Sequence, residues 1–574
     1  MPIKHPNLKL TRLTDAIPAW VGEIAAGDLD SICQQVREGG GRLVALWGSD
    51  ARKQSGVFYL HVTLMNESGL VCLNVPLPAD HPNYPDISRI FPAANRMQRA
   101  AYDMLGIYAH DGHDHRKWLR HAAWHSGSFP LRKDFDAANQ PLPPCRGKVG
   151  MGVELVGRTD SDMSTPSLAT PAGSTPVGTP PLCGDPSAVP LQGGGNVAIT
   201  HEQDDYPFVH VEGQGVHEIP VGPVHAGIIE PGHFRFSVIG EKVLRLEERL
   251  GYTHKGIEKR FESMTLQQGA KLAGRVSGDS TVAYAWAYAM AAESIAAVTP
   301  SPRALWLRAL LLERERVANH LGDLGYLGND VALAFGFAQF WILKEQVLRN
   351  NAALFGHRYL MDRIAPGGVT VELAAEGRRV IEEECAMLER EVHTLRGIYD
   401  EHAGMQDRFI GAGRVEPRLA AQLGLCGMAG RASAQAWDAR VQFPCAPYDQ
   451  LDVKMATYRN GDVAARVIVR FDELFESLRL QREIMARLGN DAAEPALLEK
   501  LPGNGFGIGL VEGWRGEVVV AIETDAQGNL SRVHPHDPSW QNWPLLEHAV
   551  IDNIVPDFPL INKSFNLSYS GQDL

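Results

Sequence analysis

Arg275-Val276-Ser277-Gly278-Asp279-Ser280 is a short polar turn, and directly behind it runs Thr281-Val-Ala-Tyr-Ala-Trp-Ala-Tyr-Ala-Met-Ala-Ala292, bounded by Asp279 and Glu293. An apolar run of about a dozen residues falls short of the roughly 18 to 20 that cross a bilayer, and it has no polar face, so it predicts a buried helix. Such a helix needs partners. Downstream, helical periodicity covers 301–327, 335–360 and 372–403, upstream it covers 240–265, and the opening helix itself extends over 280–298. Pro300 and Pro302 flank Ser301, which reads as one helix ending and the next beginning, with Ser301 as N-cap and Pro302 in the first turn, where its missing N–H costs nothing. The helix carrying Arg303, Arg308, Glu313, Arg316 and His320 is also rich in Leu and Ala, so one side is expected to pack while the other carries or relays charge.

Outside this helical block the patterns change. Pro207 to Phe236 is turn- and strand-like, and Gly503-Asn-Gly-Phe-Gly-Ile-Gly509 precedes a strand-rich stretch from Gly516 to Glu523. A nucleotide loop would need a strand before it and a helix after it, so a glycine-rich hairpin is the better reading. The first ~135 residues read as mixed α/β, with a helical start and then strands in Arg42-Leu-Val-Ala-Leu-Trp47 and Val57-Phe-Tyr-Leu-His-Val-Thr-Leu64. Between the two parts the composition turns to Pro, Gly, Ser and Thr, a tether that cannot bury enough apolar surface to offset its chain entropy. The expected organisation is α+β: an α/β domain over 1–140, a linker over 141–199, and a mainly helical domain with minor β over 200–574.

Composition narrows the function classes. The chain has 574 residues, a net charge of -13, 44% hydrophobic and 21% charged residues, the balance of a globular protein rather than a nucleic-acid binder, which needs a basic face. Its seven cysteines (Cys33, Cys72, Cys145, Cys183, Cys385, Cys426, Cys445) stand singly with no Cys-x-x-Cys, which signals neither a disulfide framework nor a cluster site and suits a reducing cytoplasm. No signal-peptide pattern opens the chain.

The turn at 275–280 resembles the Arg-x-Cys-Gly-x-Cys motif through which nickel–iron hydrogenase large subunits supply two metal thiolates, with serine in both cysteine positions. Serine stays protonated where a thiol ionises, so the substitution removes the soft ligand. Further blocks widen the resemblance over nearly all of 215–574. They include Gly222-Pro223-Val224-His225, Pro231-Gly232-His233-Phe234-Arg235, Thr253-His254-Lys255-Gly256-Ile257-Glu258-Lys259, Ala436-Trp437-Asp438-Ala439-Arg440 and Asn460-Gly461-Asp462. These are similar to the quinone-site subunit of respiratory complex I and the large subunit of energy-converting hydrogenases. In front, Tyr102-Asp103-Met104-Leu105-Gly106-Ile107 and Phe129-Pro130-Leu131-Arg132-Lys133-Asp134-Phe135 resemble the small hydrophilic subunit of complex I. The fusion, with Glu512-Gly513-Trp514-Arg515-Gly516-Glu517, resembles the large subunit of formate hydrogenlyase-type complexes. In the N-terminal part His110, His113 and His115 read as a docking loop or a metal site.

The resemblance carries residue-level expectations. The second metal motif falls on Asn566-Leu567-Ser568-Tyr569-Ser570-Gly571, so Ser277, Ser280, Ser568 and Gly571 occupy all four thiolate positions and no NiFe centre is expected. The chain stops at Leu574, where the family's maturation protease would cut, which leads one to expect no tail to remove. Arg515 stands where hydrogenases place an arginine over the iron's diatomic ligands. Without iron it is a buried cation that pairs with Asp279 or Glu230, or touches a substrate or quinone head group. Glu230 and Glu258 match proton-relay carboxylates, against plain surface glutamates. His233 matches a quinone-bonding loop histidine, against a satisfied loop histidine. His225, Asp279 and Tyr284 are the cavity contacts.

The resemblance therefore implies a peripheral subunit on the cytoplasmic side of the cytoplasmic membrane, in a complex I-like assembly with antiporter-like membrane subunits. A 4Fe-4S cluster in an iron–sulfur small subunit would pass electrons to a quinone or another acceptor, coupled to ion translocation, with no cofactor bound by this chain. A silent scaffold in the same complex is the alternative, and an active hydrogenase is disfavoured by the serines.

Overall fold

The structure is a computed structural model that describes residues 3, 5–121, 127–136, 206–227, 229–489 and 498–574. The tether expected over 141–199 lies outside the described residues. The parts on either side of it belong to one compact unit.

The N-terminal part is a five-stranded sheet of β1 (Thr11–Arg12), β2 (Ala19–Glu23), β3 (Arg42–Ala51), β4 (Val57–Asn66) and β5 (Gly69–Pro78), in the order β1-β2-β5-β4-β3. Helices α1 (Leu29–Glu38) and α2 (Ala94–Leu105) complete it. The β-branched and aromatic run in β4 pairs antiparallel with both β3 and β5, so most of its side chains are buried, as its apolar sequence requires. The expected helical start is corrected. Two short strands come before α1, because Ala19–Glu23 finds a parallel partner in β5 and a five-residue segment carries too little periodicity to announce it.

In the second part β6 (Val216–Val221), β7 (His233–Ile239) and β8 (Lys242–Arg249) form an antiparallel sheet. Here the helix expected over 240–265 is overturned, leaving only a short helical turn at Ile257–Phe261. A register shift between Val243 and Arg245 displaces the inward positions of β8, so buried Val243, Leu246 and Leu250 fall three and four apart and imitate a helix.

The remaining helices appear as expected: α3 (Thr281–Ala296), α4 (Pro302–Asp330), α5 (Ala334–Phe355) and α6 (Ala375–Glu401), joined by α7 (Val463–Arg487). The Ser301 hydroxyl accepts the Ala304 N–H at 3.3 Å and caps α4. The charged residues of α4 face neither water nor one side only, since Arg308, Glu313, Arg316 and His320 are all fully buried. Each has a partner. Arg308 donates to Glu293 at 2.6 and 3.0 Å, Arg316 donates to Glu313 at 3.2 Å, Arg440 donates to Glu313 at 3.1 Å, and His320 meets Glu473 at 3.0 Å. Strands β9 (Phe506–Glu512), β10 (Glu517–Thr524) and β11 (Leu530–His536) form a sheet laid on α3. The glycine-rich stretch is the first arm of that hairpin. A Cβ at Gly507 or Gly509 would lie 2.2 Å from Ala291 O or 2.1 Å from Ala287 O, so alternate glycines let the strand press on the alanine face of α3. No described helix is long and apolar enough to cross a membrane.

Candidate functional site

The turn that opens α3 and the last helix, α9 (Tyr569–Asp573), which follows α8 (Ser539–Ala549), meet at one place. The hydroxyls of Ser277 and Ser568 are 2.9 Å apart. Ser568 caps α9 by accepting the Gly571 N–H at 2.9 Å, and Ser277 donates to Asp279 Oδ1 at 2.7 Å. Asp279 is the hub. It also accepts from Ser280 at 3.1 Å and from Arg515 Nη2 at 2.6 Å. Burial works against its charged form, but the Arg515 guanidinium outweighs that and holds the carboxyl below the usual carboxylate range. Arg515, stacked on Trp514 at 4.2 Å, also donates to the carbonyl of Asn566 in the C-terminal segment, so one side chain ties both segments together.

Ser277, Asp279, Arg515, Asn566 and Ser568 line a cavity of about 590 Å³ together with Asn319, Asp323 and Tyr326 of α4 and Lys344 of α5. Asp323 is engaged by Arg470 at 2.9 Å and Asn566 at 2.6 Å. Glu230 stands exposed at the rim, where it accepts the Ser570 N–H at 3.0 Å.

The donor set does not suit nickel and iron. Ser277, Ser280 and Ser568 present hydroxyls that are spent on one another and on Asp279, and no side chain stands at Gly571, where a Cβ would lie 2.5 Å from Asp537 Oδ2. The described cysteines Cys33, Cys72, Cys385, Cys426 and Cys445 are buried elsewhere, and burial pushes the Cys445 thiol up to about 12. Among the described residues no group of three or more His, Cys, Asp or Glu is arranged to hold a metal, and this includes the loop with His110, His113 and His115. There His110 pairs with Asp111 at 2.8 Å, and His115 stacks on Tyr108 at 5.1 Å.

Of the residues singled out in the sequence, the structure gathers Ser277, Asp279, Ser280, Arg515, Ser568 and Glu230 at this cavity and leaves others away from it. His225 is set back, its ring 6.3 Å from that of Tyr569, which lines the wall. His233 sits on β7 against Phe208 at 5.2 Å, and burial lowers its pKa. Tyr284 lies behind the serines, donating to Asp537 at 2.7 Å; burial and that carboxylate push its hydroxyl well above the ordinary range. Glu258 is locked between Arg532 at 2.7 Å and His534 at 2.8 Å. Burial would raise it, but these two neighbours bring it down to about 2, so it stays ionised and does not exchange protons near neutral pH. Asp323, Lys344 and Asp537 belong to the site without standing in any motif. Lys344 carries one signal, a lone cation closing the apolar run Phe340-Trp341-Ile342-Leu343.

Residues 23–141 match the 30 kDa subunit of respiratory-chain NADH dehydrogenase, and residues 330–503 match its 49 kDa subunit. Formate hydrogenlyase subunit 5 of Escherichia coli is 28% identical over 93% of this chain and 85% of that protein. The carbon monoxide-induced hydrogenase of Rhodospirillum rubrum is 31% identical over 61% of this chain and 96% of that protein. Among solved structures, a chain of an archaeal membrane-bound sulfane sulfur reductase superposes with a TM-score of 0.60 at 23% identity, covering 64% of this chain and all of that one, a likeness of fold. With the α+β fold and the fused order of the two parts, the chain belongs to the family of complex I 49 kDa subunits and membrane-bound hydrogenase large subunits, carrying a 30 kDa-type domain in front.

Proposed function

We propose that this chain is the peripheral, site-bearing subunit of a membrane-bound, complex I-like and hydrogenase-related oxidoreductase. Electrons reach its cavity from a 4Fe-4S cluster in a partner small subunit and leave on an acceptor other than protons at nickel. Antiporter-like membrane subunits would couple that step to ion movement, with the chain on the cytoplasmic face of the membrane. The observation that carries the reading is the cavity itself. Two segments that are hydrogenase ligand motifs in the family still converge, the Arg515–Asp279 pair still spans them, and about 590 Å³ of space stands beside them. A wall whose side chains are fixed by a hydrogen-bonded network is suited to hold a small molecule in one orientation.

The chemistry falls to this chain's own groups. Arg515 fixes Asp279, and the serine hydroxyls, engaged with one another and with Asp279, hold the two converging segments in place beside the cavity. Exposed Glu230 joins the cavity to solvent protons. The test is turnover of the purified complex, reduced through its own donor, with a short-chain ubiquinone analogue and a panel of small acceptors, together with metal analysis. Arg515→Met is expected to lower acceptor reduction at least tenfold while His233→Ala, away from the cavity, leaves it within twofold. Stoichiometric nickel, or turnover indifferent to Arg515, would sink the reading; no turnover with any acceptor would favour a silent scaffold.

A further inference from the structure

Each cation on the cavity wall has a carboxylate partner except one. Arg515 is held by Asp279 at 2.6 Å, and Lys563 by Asp330 at 2.6 Å. The remaining inner carboxylate, Asp323, is taken by Arg470 at 2.9 Å. Lys344 has no carboxylate within ion-pair distance among the described residues. Its ammonium rests over the Trp341 ring at 4.9 Å, on the next turn of α5.

That position is built. Two glycines on α4 receive the two side chains: a Cβ at Gly325 would lie 2.7 Å from Trp341, and one at Gly322 would lie 2.6 Å from Lys344 Nζ. The helices therefore approach closely enough to carry a lysine head group past α4 to the inner wall, and any larger residue at 322 would push it out. Burial disfavours its charged form and lowers its pKa, with Asp323 and Asp279 opposing from a distance. An ammonium kept in such a place is stabilised by whatever anion joins it. The other free charge of the lining, Glu230, is at the rim in solvent and does not neutralise the interior.

We propose that the cavity binds a small molecule bearing a carboxylate or oxoanion group, which docks on Lys344. A neutral head group would leave the ammonium uncompensated. This rests on the acceptor reading of the same cavity and names the chemical class of its ligand. Binding and turnover separate the two: anions that bind on Lys344 while the complex turns over no acceptor leave the anion site standing and remove the acceptor role.

The experiment is binding to the full chain, followed by thermal shift and calorimetry at constant ionic strength, with two matched pairs as probes: acetate against acetamide, and sulfate against dimethyl sulfone. Both anions are expected to bind, and both neutral partners to bind at least tenfold more weakly. Lys344→Met should weaken the anions at least tenfold, Lys344→Arg should keep them within about threefold, and Lys271→Met, an exposed lysine, should change nothing. Gly322→Ala offers a second route, since it moves the ammonium without removing it and should also weaken the anions. Equal binding of charged and neutral partners, anion binding indifferent to Lys344→Met, or no anion binding at all would each overturn the proposal. If Lys344→Met fails to fold, the Arg and Gly322→Ala variants and the matched pairs decide it alone.

Discussion

His536 shows how far a single buried side chain can govern the protein's response to pH. It is 2% exposed, and burial, helped by neighbouring His534, lowers its pKa to about 3. The unfolded chain takes up that proton near pH 6.5, so between about pH 3 and 6.5 the unfolded state holds more protons and stability falls as pH falls. From pH 7 to pH 5 one such group costs about 2 kcal/mol. Urea unfolding at the two pH values is expected to show His536→Gln losing about 2 kcal/mol less than the parent; an equal loss in both would assign the pH response elsewhere. At this scale the sequence was legible where chemistry forces a partner. A buried Arg515 demands an anion, and of the two carboxylates that the motifs offered, Asp279 and Glu230, it is Asp279, 236 positions away, that supplies it. It was illegible where no motif marks the partner: Glu258 looked like a proton carrier until His534, 276 positions away, and Arg532 fixed its charge.

Elements were legible where the signal is local. The Pro300-Ser301-Pro302 boundary of α4 needs only the capping hydroxyl, and Ser301→Ala is expected to cost about 1 kcal/mol in chemical unfolding. A loss below a few tenths would mean that tertiary packing, not the cap, sets that end. The hairpin of β9 was legible as glycine-rich but not as helix-facing, because the reason for its glycines lies in the carbonyls of α3. Gly509→Ala puts a methyl carbon 2.1 Å from Ala287 O, so the strand must lift; a loss of about 3 kcal/mol or more is expected, larger than for alanine at a glycine in open space such as Gly27. Equal losses at the two glycines would refute the close approach. Strand β8 misled because its register shift turned a period of two into spacings of three and four, a distortion that depends on pairing with β7 and leaves no trace in the sequence of β8 alone.

At the scale of the molecule, composition separates two folded parts, but what joins them is written in charges hundreds of positions apart. Arg96, on α2 of the N-terminal part, donates to Glu248 at 3.0 Å and to Glu547 at 2.7 Å. Trp47 of β3 lies stacked between His61 at 5.0 Å and His534 of β11 at 4.8 Å, and Arg532 donates to the Gly48 carbonyl at 2.9 Å. Glu248 is fully buried, burial pushes its carboxyl upward, and Arg96 is the cation that opposes this. Arg96→Met leaves that carboxylate alone inside the protein, which costs about 3 to 5 kcal/mol. Glu248 is already held above the usual carboxylate range in the parent and Arg96→Met raises it further, so both chains lose stability alike as pH rises from about 4.5, and the variant's deficit grows only once pH passes the parent's own raised value. With the parent chain, the same joint predicts that the parts open together. In hydrogen exchange, peptides from Val57–Asn66 and Pro302–Asp330 should lose protection with the same denaturant dependence, and Arg96→Met should split them, the N-terminal sheet exchanging first. Early exchange of Val57–Asn66 in the parent itself would show that the buried pair does not couple the two parts, and that the fusion holds them in one chain without making them one cooperative unit.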